Sequence, residues 1–467
     1  MNRNHIRKTT NTAAAALGLV LSVGLVTGCS GGGADADAKA PGGAETATGT
    51  ATPTGTESES ASGAPKEPVY QGKPIPGLAA TPAWSLSSDE AGNCASEASE
   101  ESTASLDVCT VGDAVIVTGS SGEADKRMYT ARLLDAKTGQ ERKKFELADP
   151  EIEGSTYHPT NAVVQVGEWT DGSPALLVRQ RVETPADGLK KASTKAELTM
   201  YAPSGEKLGS ASFDGDDHMS TPLRNGHLVD TSGSGTTFIP IGGGAPVEIE
   251  TSVDLKNAVG PGFGYSSEQD ISFQPYAEWL TAKDIRTDAK VWNTQSLTPP
   301  AALAKKITED KATSARLMPY QGDKALLEWS LYGDSEVVMT LIDLKSGRRL
   351  AEGPAAEVTV TLDDDGSVIS PDGKTTVVQY GGGAVAWNTE TGKELWRQAE
   401  DEVSITPNAL PGNGVLYAHL DGTGAALDAD DKKLLASDIE ELPQFTTNGQ
   451  ALLRTPDGLF IFPTQPI

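Results

Sequence analysis

From Val69 to Ile467 short apolar runs alternate with clusters of Gly, Asp, Asn and Pro. Runs of four to eight apolar residues punctuated by turn formers predict many short strands rather than long helices. One segment recurs along this region. Its clearest copy is Ala386-Trp387-Asn388-Thr389-Glu390-Thr391-Gly392-Lys393-Glu394-Leu395-Trp396. Fair copies are Leu133-Leu134-Asp135-Ala136-Lys137-Thr138-Gly139-Gln140-Glu141 and Leu341-Ile342-Asp343-Leu344-Lys345-Ser346-Gly347-Arg348. Fainter ones begin at Met200, Val291 and Ala426. In all but the Met200 copy, an apolar strand ends in Asp or Asn, whose side chain can accept from backbone amides at the start of a turn. A Ser or Thr and then a Gly follow in the clear copies, the Gly permitting a left-handed backbone, and a second strand begins. The unit predicts a hairpin that joins the third strand of a small sheet to its outer strand.

The turns of these units fall near residues 139, 205, 243, 297, 347, 392 and 432. Such spacing brackets the period of roughly 40–50 residues expected of propeller blades. The longest interval holds a polar insert, Glu183 to Lys195, which predicts an extended hairpin. After the seventh turn the strands Ala451–Arg454 and Leu459–Pro463 remain, with no outer strand following them. Thr81-Pro82-Ala83-Trp84-Ser85-Leu86 is placed to supply it, and pairing of Ala83–Leu86 with Leu459–Phe462 would remove an exposed edge. The expected fold is all-β, a propeller of eight blades with seven as the second choice, its ring closed by an N-terminal strand.

The N-terminal residues follow a different pattern. Arg3, Arg7 and Lys8 precede an apolar run from Ala13 to Val26, then Thr27-Gly28-Cys29. The run is shorter than the ~20 residues needed to span a bilayer and reads as an export signal over 1–28. Leu25-Val26-Thr27-Gly28-Cys29 resembles a bacterial lipobox, which implies lipid attachment at Cys29, where two acyl chains would give stable anchoring. Residues 29–67 are Ala, Thr, Gly, Ser, Glu and Pro with almost no bulky apolar side chain. They cannot bury a core and read as a flexible tether. Within it, Thr46–Thr56 resembles an O-glycosylated stalk, a plain spacer being the alternative. The globular domain is expected over 68–467.

The repeats resemble the PQQ-like (quinoprotein dehydrogenase-like) β-propeller repeat, whose blades end in Ala-x-Asp-x-x-Thr-Gly-x-x-x-Trp. Ala386, Asn388, Thr391, Gly392 and Trp396 match it. The docking tryptophan of that pattern is matched at Trp396 and by Trp84, while Lys143 and Ala351 stand at its position elsewhere. Ser370-Pro371-Asp372-Gly373-Lys374 also resembles a turn of WD40-type and TolB-type propellers. With the lipobox, the whole chain resembles an actinobacterial surface lipoprotein.

Composition narrows the function classes. The chain has 38 basic and 65 acidic residues, a net charge of −27. This disfavours nucleic acid and direct adsorption to anionic lipid. Three cysteines occur. With Cys29 lipidated, Cys94 and Cys109 remain as a pair, expected to be disulfide-bonded in an exported protein, two free thiols being the alternative. In the chain-entropy model closing that loop is worth about 3 kcal/mol.

Enzymes of the resembled superfamily hold a quinone, a calcium ion, an aspartate base and a disulfide between adjacent cysteines. Cys94 and Cys109 are not adjacent, and no residue here carries over as cofactor ligand or base. Asp214–Asp217 and Asp363–Gly366 lack the spacing of a calcium loop and read as solvated turns. The five histidines are scattered. No catalytic residue, cofactor or metal is therefore expected. Phe263, Tyr265, Phe273, Tyr276, Trp279 and Trp292 concentrate aromatics among polar residues. Of these, Tyr265, Phe273, Tyr276 and Trp279 form a candidate binding surface, with packing against neighbouring blades as the alternative. The expected function is a non-catalytic binding or scaffold module on the extracytoplasmic face of the cell membrane. It would be held there by lipid on Cys29, with a protein or a cell-envelope glycan as partner. A propeller enzyme, quinoprotein-like or polysaccharide-active, and a ligand-binding accessory of a membrane kinase or transporter are the alternatives.

Overall fold

A computed structural model of the chain describes residues 68–97, 107–121, 128–148, 162–215, 221, 223–230, 236–249, 259–260, 263–270, 277–284, 289–307, 313–321, 324–331, 334–357, 367–380 and 383–467. Chain contacts divide it into two units, Met1–Gly63 and Ala64–Ile467. The second unit is built almost wholly of antiparallel strands, gathered into eight sheets among the described residues.

Sheet 1 comprises Thr110–Val111, Ala114–Ser121, Met128–Asp135 and Glu141–Ala148. Sheet 2 has Ala162–Glu168, Pro174–Thr184, Ser193–Tyr201 and Lys207–Asp214. Its first strand also pairs in parallel with Ala95–Glu97, which pairs with Asp107–Val108. Sheet 3 runs from Leu223–Arg224 to Val247–Ile249, and sheet 4 from Val259–Gly260 through Phe263–Asp270 and Ala277–Asp284 to Lys290–Asn293. Sheet 5 holds Thr313–Gln321, Lys324–Leu331, Glu336–Asp343 and Arg349–Glu357; sheet 6 holds Ser367–Ile369, Thr375–Tyr380, Gly383–Asn388 and Glu394–Arg397. Sheet 7 has Ile405–Ala409, Val415–Leu420, Thr423–Asp428 and Leu434–Ile439.

Sheet 8 has Gln444–Phe445, Gln450–Thr455 and Gly458–Pro463 from the C-terminus, and its fourth strand is Trp84–Ser87. Trp84 pairs with Ile461, Ser85 with Phe460 and Leu86 with Leu459. Ala83 donates its N–H to the Ile461 carbonyl at 2.7 Å. The N-terminal strand therefore covers the edge that the last three strands would otherwise leave open.

Alternation along each strand sends side chains to both faces, and both faces are buried. In sheet 5, Leu326, Val337, Met339 and Leu341 pack toward sheet 6, while Ala325, Leu327, Trp329 and Leu331 pack toward sheet 4. Sheet 6 sends Val378, Val385 and Trp387 to sheet 5, and Val377, Ala384, Ala386 and Trp396 to sheet 7. Two buried faces explain near-continuous apolar runs such as Ala325–Leu327 and Leu459–Phe462. The same alternation joins the last and first sheets of the second unit. Leu452, Leu459 and Ile461 of sheet 8 pack with Val115, Val117 and Leu134 of sheet 1. Packing contacts thus run 4-5-6-7-8-1-2-3 among the described residues.

Candidate functional site

The recurrent turns are built as their residue types require. The Asp135 carboxylate accepts from the amides of Lys137 and Thr138 and from the Thr138 hydroxyl. Asn388 Oδ1 accepts in the same way from Glu390 and Thr391, and Asp343 from Ser346. Gly139, Gly347 and Gly392 each close the turn with an N–H donated to the carbonyl of that Asp or Asn at 2.8 Å. All three have φ near +70°.

The turns are seats for the preceding sheet. Trp84 donates its indole N–H to the carbonyl of Ala136 at 2.9 Å, Trp292 to that of Leu344 at 2.8 Å, and Trp396 to that of Ala429 at 2.8 Å. Each acceptor directly follows the Asp of the next sheet's turn. Trp292 corrects the expected role of residues 291–296. This segment is the fourth strand of sheet 4 followed by a short 3-10 turn, Thr294–Ser296, not a third strand ending in a hairpin. The Val-Trp-Asn-Thr spelling imitates a strand-end Asn, and Asn293 indeed accepts from the Gln295 amide, but as the cap of that 3-10 turn. Where tryptophan is missing, Lys143 takes the place. Its Nζ donates to Gly205 O at 3.1 Å and lies over the Tyr201 ring.

Arg142 ties the first of these turns together. Its guanidinium meets Asp113 through two bonds of 2.7 and 2.9 Å and Asp135 through one of 2.6 Å. The Arg142 hydrogen bond is the main reason the Asp135 carboxyl is lowered to about 2, Thr138 adding to it. Asp113 is lowered by the same partner.

Cys94 and Cys109 are disulfide-bonded, with Cα atoms 4.6 Å apart. Both are buried among Leu452, Leu459 and Val115, so the bridge lies where sheets 8 and 1 meet. Arg454 of sheet 8 binds the Gly92 carbonyl at 2.7 Å beside it. Cys29, Phe273 and Tyr276 lie outside the described residues. The backbones of Tyr265 and Trp279 fall on neighbouring strands of sheet 4, opposite Ala282 and Glu268 respectively. Those register positions alternate to opposite faces of the sheet. Trp292, from the same aromatic cluster, is buried in the core between sheets 4 and 5.

A cleft of about 540 Å³ opens at the junction of sheets 7 and 8, lined by Asn408, Ala409, His419 and residues 440–445. Ala409, Leu442 and Phe445 are its apolar wall, and Glu440, Glu441, His419 and Gln444 are its polar lining. Partial burial pushes the Glu441 carboxyl up, with Arg454 opposing. Burial raises the Tyr70 phenol, and Glu440 adds to it. Tyr417, whose ring contacts Phe445 at 5.1 Å, is pushed up to about 12 by burial. Among the described residues no group of three His, Cys, Asp or Glu side chains is placed to hold a metal ion. The chain spelled out none of this cleft in advance, because its lining comes from a first strand, a second strand and a crossover that only folding assembles.

No curated protein matches this chain. Solved structures that resemble it include the computationally designed Ika8 protein (13% identity over 79% of this chain and 99% of that one, TM-score 0.33). Hydrazine synthase of Kuenenia stuttgartiensis is another (13%, 67% and 99%, TM-score 0.32), as is dipeptidyl peptidase 4 of Porphyromonas gingivalis (9%, 72% and 55%, TM-score 0.38). The four-stranded sheets are consistent with β-propeller blades, and residues 277–464, from the third strand of sheet 4 to the end of sheet 8, match the PQQ-type family model described as outer membrane protein assembly factor BamB.

Proposed function

We propose that the chain is a lipid-anchored, extracytoplasmic binding or scaffold module, its eight sheets forming one closed propeller. The observation that carries the module reading is the BamB-type match across sheets 4–8. That description names an assembly factor, which points to binding other proteins rather than to catalysis. Closure is supported by the shared core of sheets 8 and 1 and by the strand Trp84–Ser87, which together tie the two ends of the domain. Anchoring is supported by the lipobox-like Val26-Thr27-Gly28-Cys29 and the long polar tether after it. The partner on this reading is a protein or a cell-envelope glycan.

Two experiments test the reading. Cys29→Ala should leave the protein unprocessed or release it from membranes, and unchanged size with unchanged detergent partitioning would refute the anchor. Affinity capture from cross-linked cells, with the intact chain as bait, should recover a recurrent envelope protein or glycan. Capture no different from that of an unrelated anchored propeller would refute the module.

A further inference from the structure

Residues 70–78 form a strap that belongs to no sheet, yet the seam between sheets 7 and 8 is built around it. The Tyr70 ring meets Phe460 and Phe462 edge-on at 5.4 and 5.1 Å. Ile75 packs at once against the sheet 8 core of Ala451, Leu453 and Phe460 and against Val415 and Tyr417 of sheet 7. The strap's backbone is read both by the chain beyond sheet 8, through a Leu78–Thr464 bridge and the Gln465 N–H donated to Gly77 O at 2.8 Å, and by groove side chains. Tyr417 donates its hydroxyl to Pro76 O at 2.7 Å, and Asn413 donates Nδ2 to Gly77 O at 2.9 Å. Gly77 lies at φ +79°, and a Cβ there would stand 2.5 Å from Asn413 Nδ2, 2.7 Å from Val415 Cγ2 and 2.9 Å from the Tyr417 hydroxyl. Pro74 and Pro76 bracket Ile75, so the inserted residue is flanked by positions with no N–H to satisfy.

These are components of peptide recognition: donors reading carbonyls and pockets taking spaced apolar side chains. The groove also extends past its occupant. Ala409, Leu442 and Phe445, which pack with Ile75 in one cluster, are the apolar wall of the open cleft. The strap directly follows the tether, and the four register pairs of Trp84–Ser87 involve none of its residues.

We propose that the seam of sheets 7 and 8 is a peptide-binding groove filled in cis by the strap. Its ligand in trans is an extended, proline-containing segment of a partner protein that offers an aromatic and an aliphatic side chain about five residues apart. The proposal rests on the module reading above and names its recognition surface.

The probe is a labelled decapeptide of the strap sequence, Val69–Leu78, titrated into the full chain and into a Gly77→Val chain whose own strap cannot seat. The variant should bind it saturably, and the unaltered chain at least about tenfold more weakly, because its strap competes at high effective concentration. Adding Tyr417→Phe to the variant should weaken binding several-fold. A folded Gly77→Val chain that does not bind the peptide overturns the proposal. Hydrogen exchange on the unaltered chain is the deciding measurement if that variant does not fold. The amides of Leu78 and Ala79 should exchange at least about tenfold faster than those of Trp84–Ser87, and equal rates would overturn a separable strap. Failure here removes the groove while the envelope-capture result stands on its own.

Discussion

Four tryptophans divide by what their indole nitrogens meet. Trp84, Trp292 and Trp396 each donate to a carbonyl of the following sheet. Trp387 is fully buried, and its Nε1 has no hydrogen-bond partner among the described residues. Trp396→Phe and Trp292→Phe should therefore lose a bond and strand a carbonyl, costing about 1–3 kcal/mol beyond the loss of volume. In Trp387→Phe, removing an unpaired buried donor should offset much of the small cavity. Thermal unfolding of the three variants checks this, and equal losses would contradict it. The acid limb of stability belongs to the same scale. Asp135 has its folded pKa lowered to about 2, so its contribution is complete above the ordinary carboxylate range and is lost as pH falls from about 4 through 2. Asp135→Asn should keep the turn, as Asn388 does in sheet 6, while flattening the stability loss between pH 4 and 2. Denaturant midpoints at about pH 7, 4 and 2.5 measure it.

At the scale of the element, the Asx turn that ends a third strand is one device used with different closing residues. Gly347 sits at φ +66°, where a Cβ would come 2.8 Å from Cγ of Trp292. Gly347→Ala should destabilise by roughly 1–3 kcal/mol, since it combines backbone strain with displacement of the docking ring. Sheet 7 uses Lys432 at the same place, at φ +57°, with the same N–H donated to Asp428 O. Its Nζ also donates to Arg397 O at 2.8 Å and meets Glu402. The side chain thus offsets the strain of its own backbone. Lys432→Ala, which keeps the strain and loses the contacts, should be less stable than Lys432→Gly by about 1 kcal/mol. Melting curves of the pair decide it, and the reverse order would show that φ is not what the turn demands.

At the scale of the molecule, the first and last described segments carry the assembly. Sheet 8 draws three strands from the C-terminus and one from residues 84–87, and Gln444 Oε1 accepts the Cys109 N–H at 2.8 Å across to sheet 1. A chain beginning after Ser87 should expose the edge of Gly458–Pro463 and associate with itself. Size-exclusion chromatography should show oligomers or aggregates where the full domain runs as one species, and a monodisperse shortened chain would count against N-terminal completion of the sheet.

The short apolar runs, the Asx-Ser/Thr-Gly turns and the missing outer strand at the C-terminus were enough to read an all-β repeat and the pairing of Ala83–Leu86 with Leu459–Phe462. Those features are local, with a period of two along a strand and one residue type at a turn, and local rules write them into the chain. The same logic misplaced residues 291–296, because an Asn after an apolar pair looks alike at the end of a third strand or a fourth. Which strand it ends is settled by pairing with Ala277–Asp284, a contact no short window contains. The bracing of Asp113 and Asp135 by Arg142, the lysine standing in for a docking tryptophan and the unpaired indole of Trp387 likewise arise between segments far apart in the chain. So does the seam at sheets 7 and 8. Val69–Leu78 reads by itself only as the start of the expected globular domain, and only the apolar faces of Phe460, Phe462 and Tyr417, brought together by the packing of two sheets, turn Tyr70 and Ile75 into a wedge. Burial depends on what arrives on the far side of a strand, and that is decided in three dimensions.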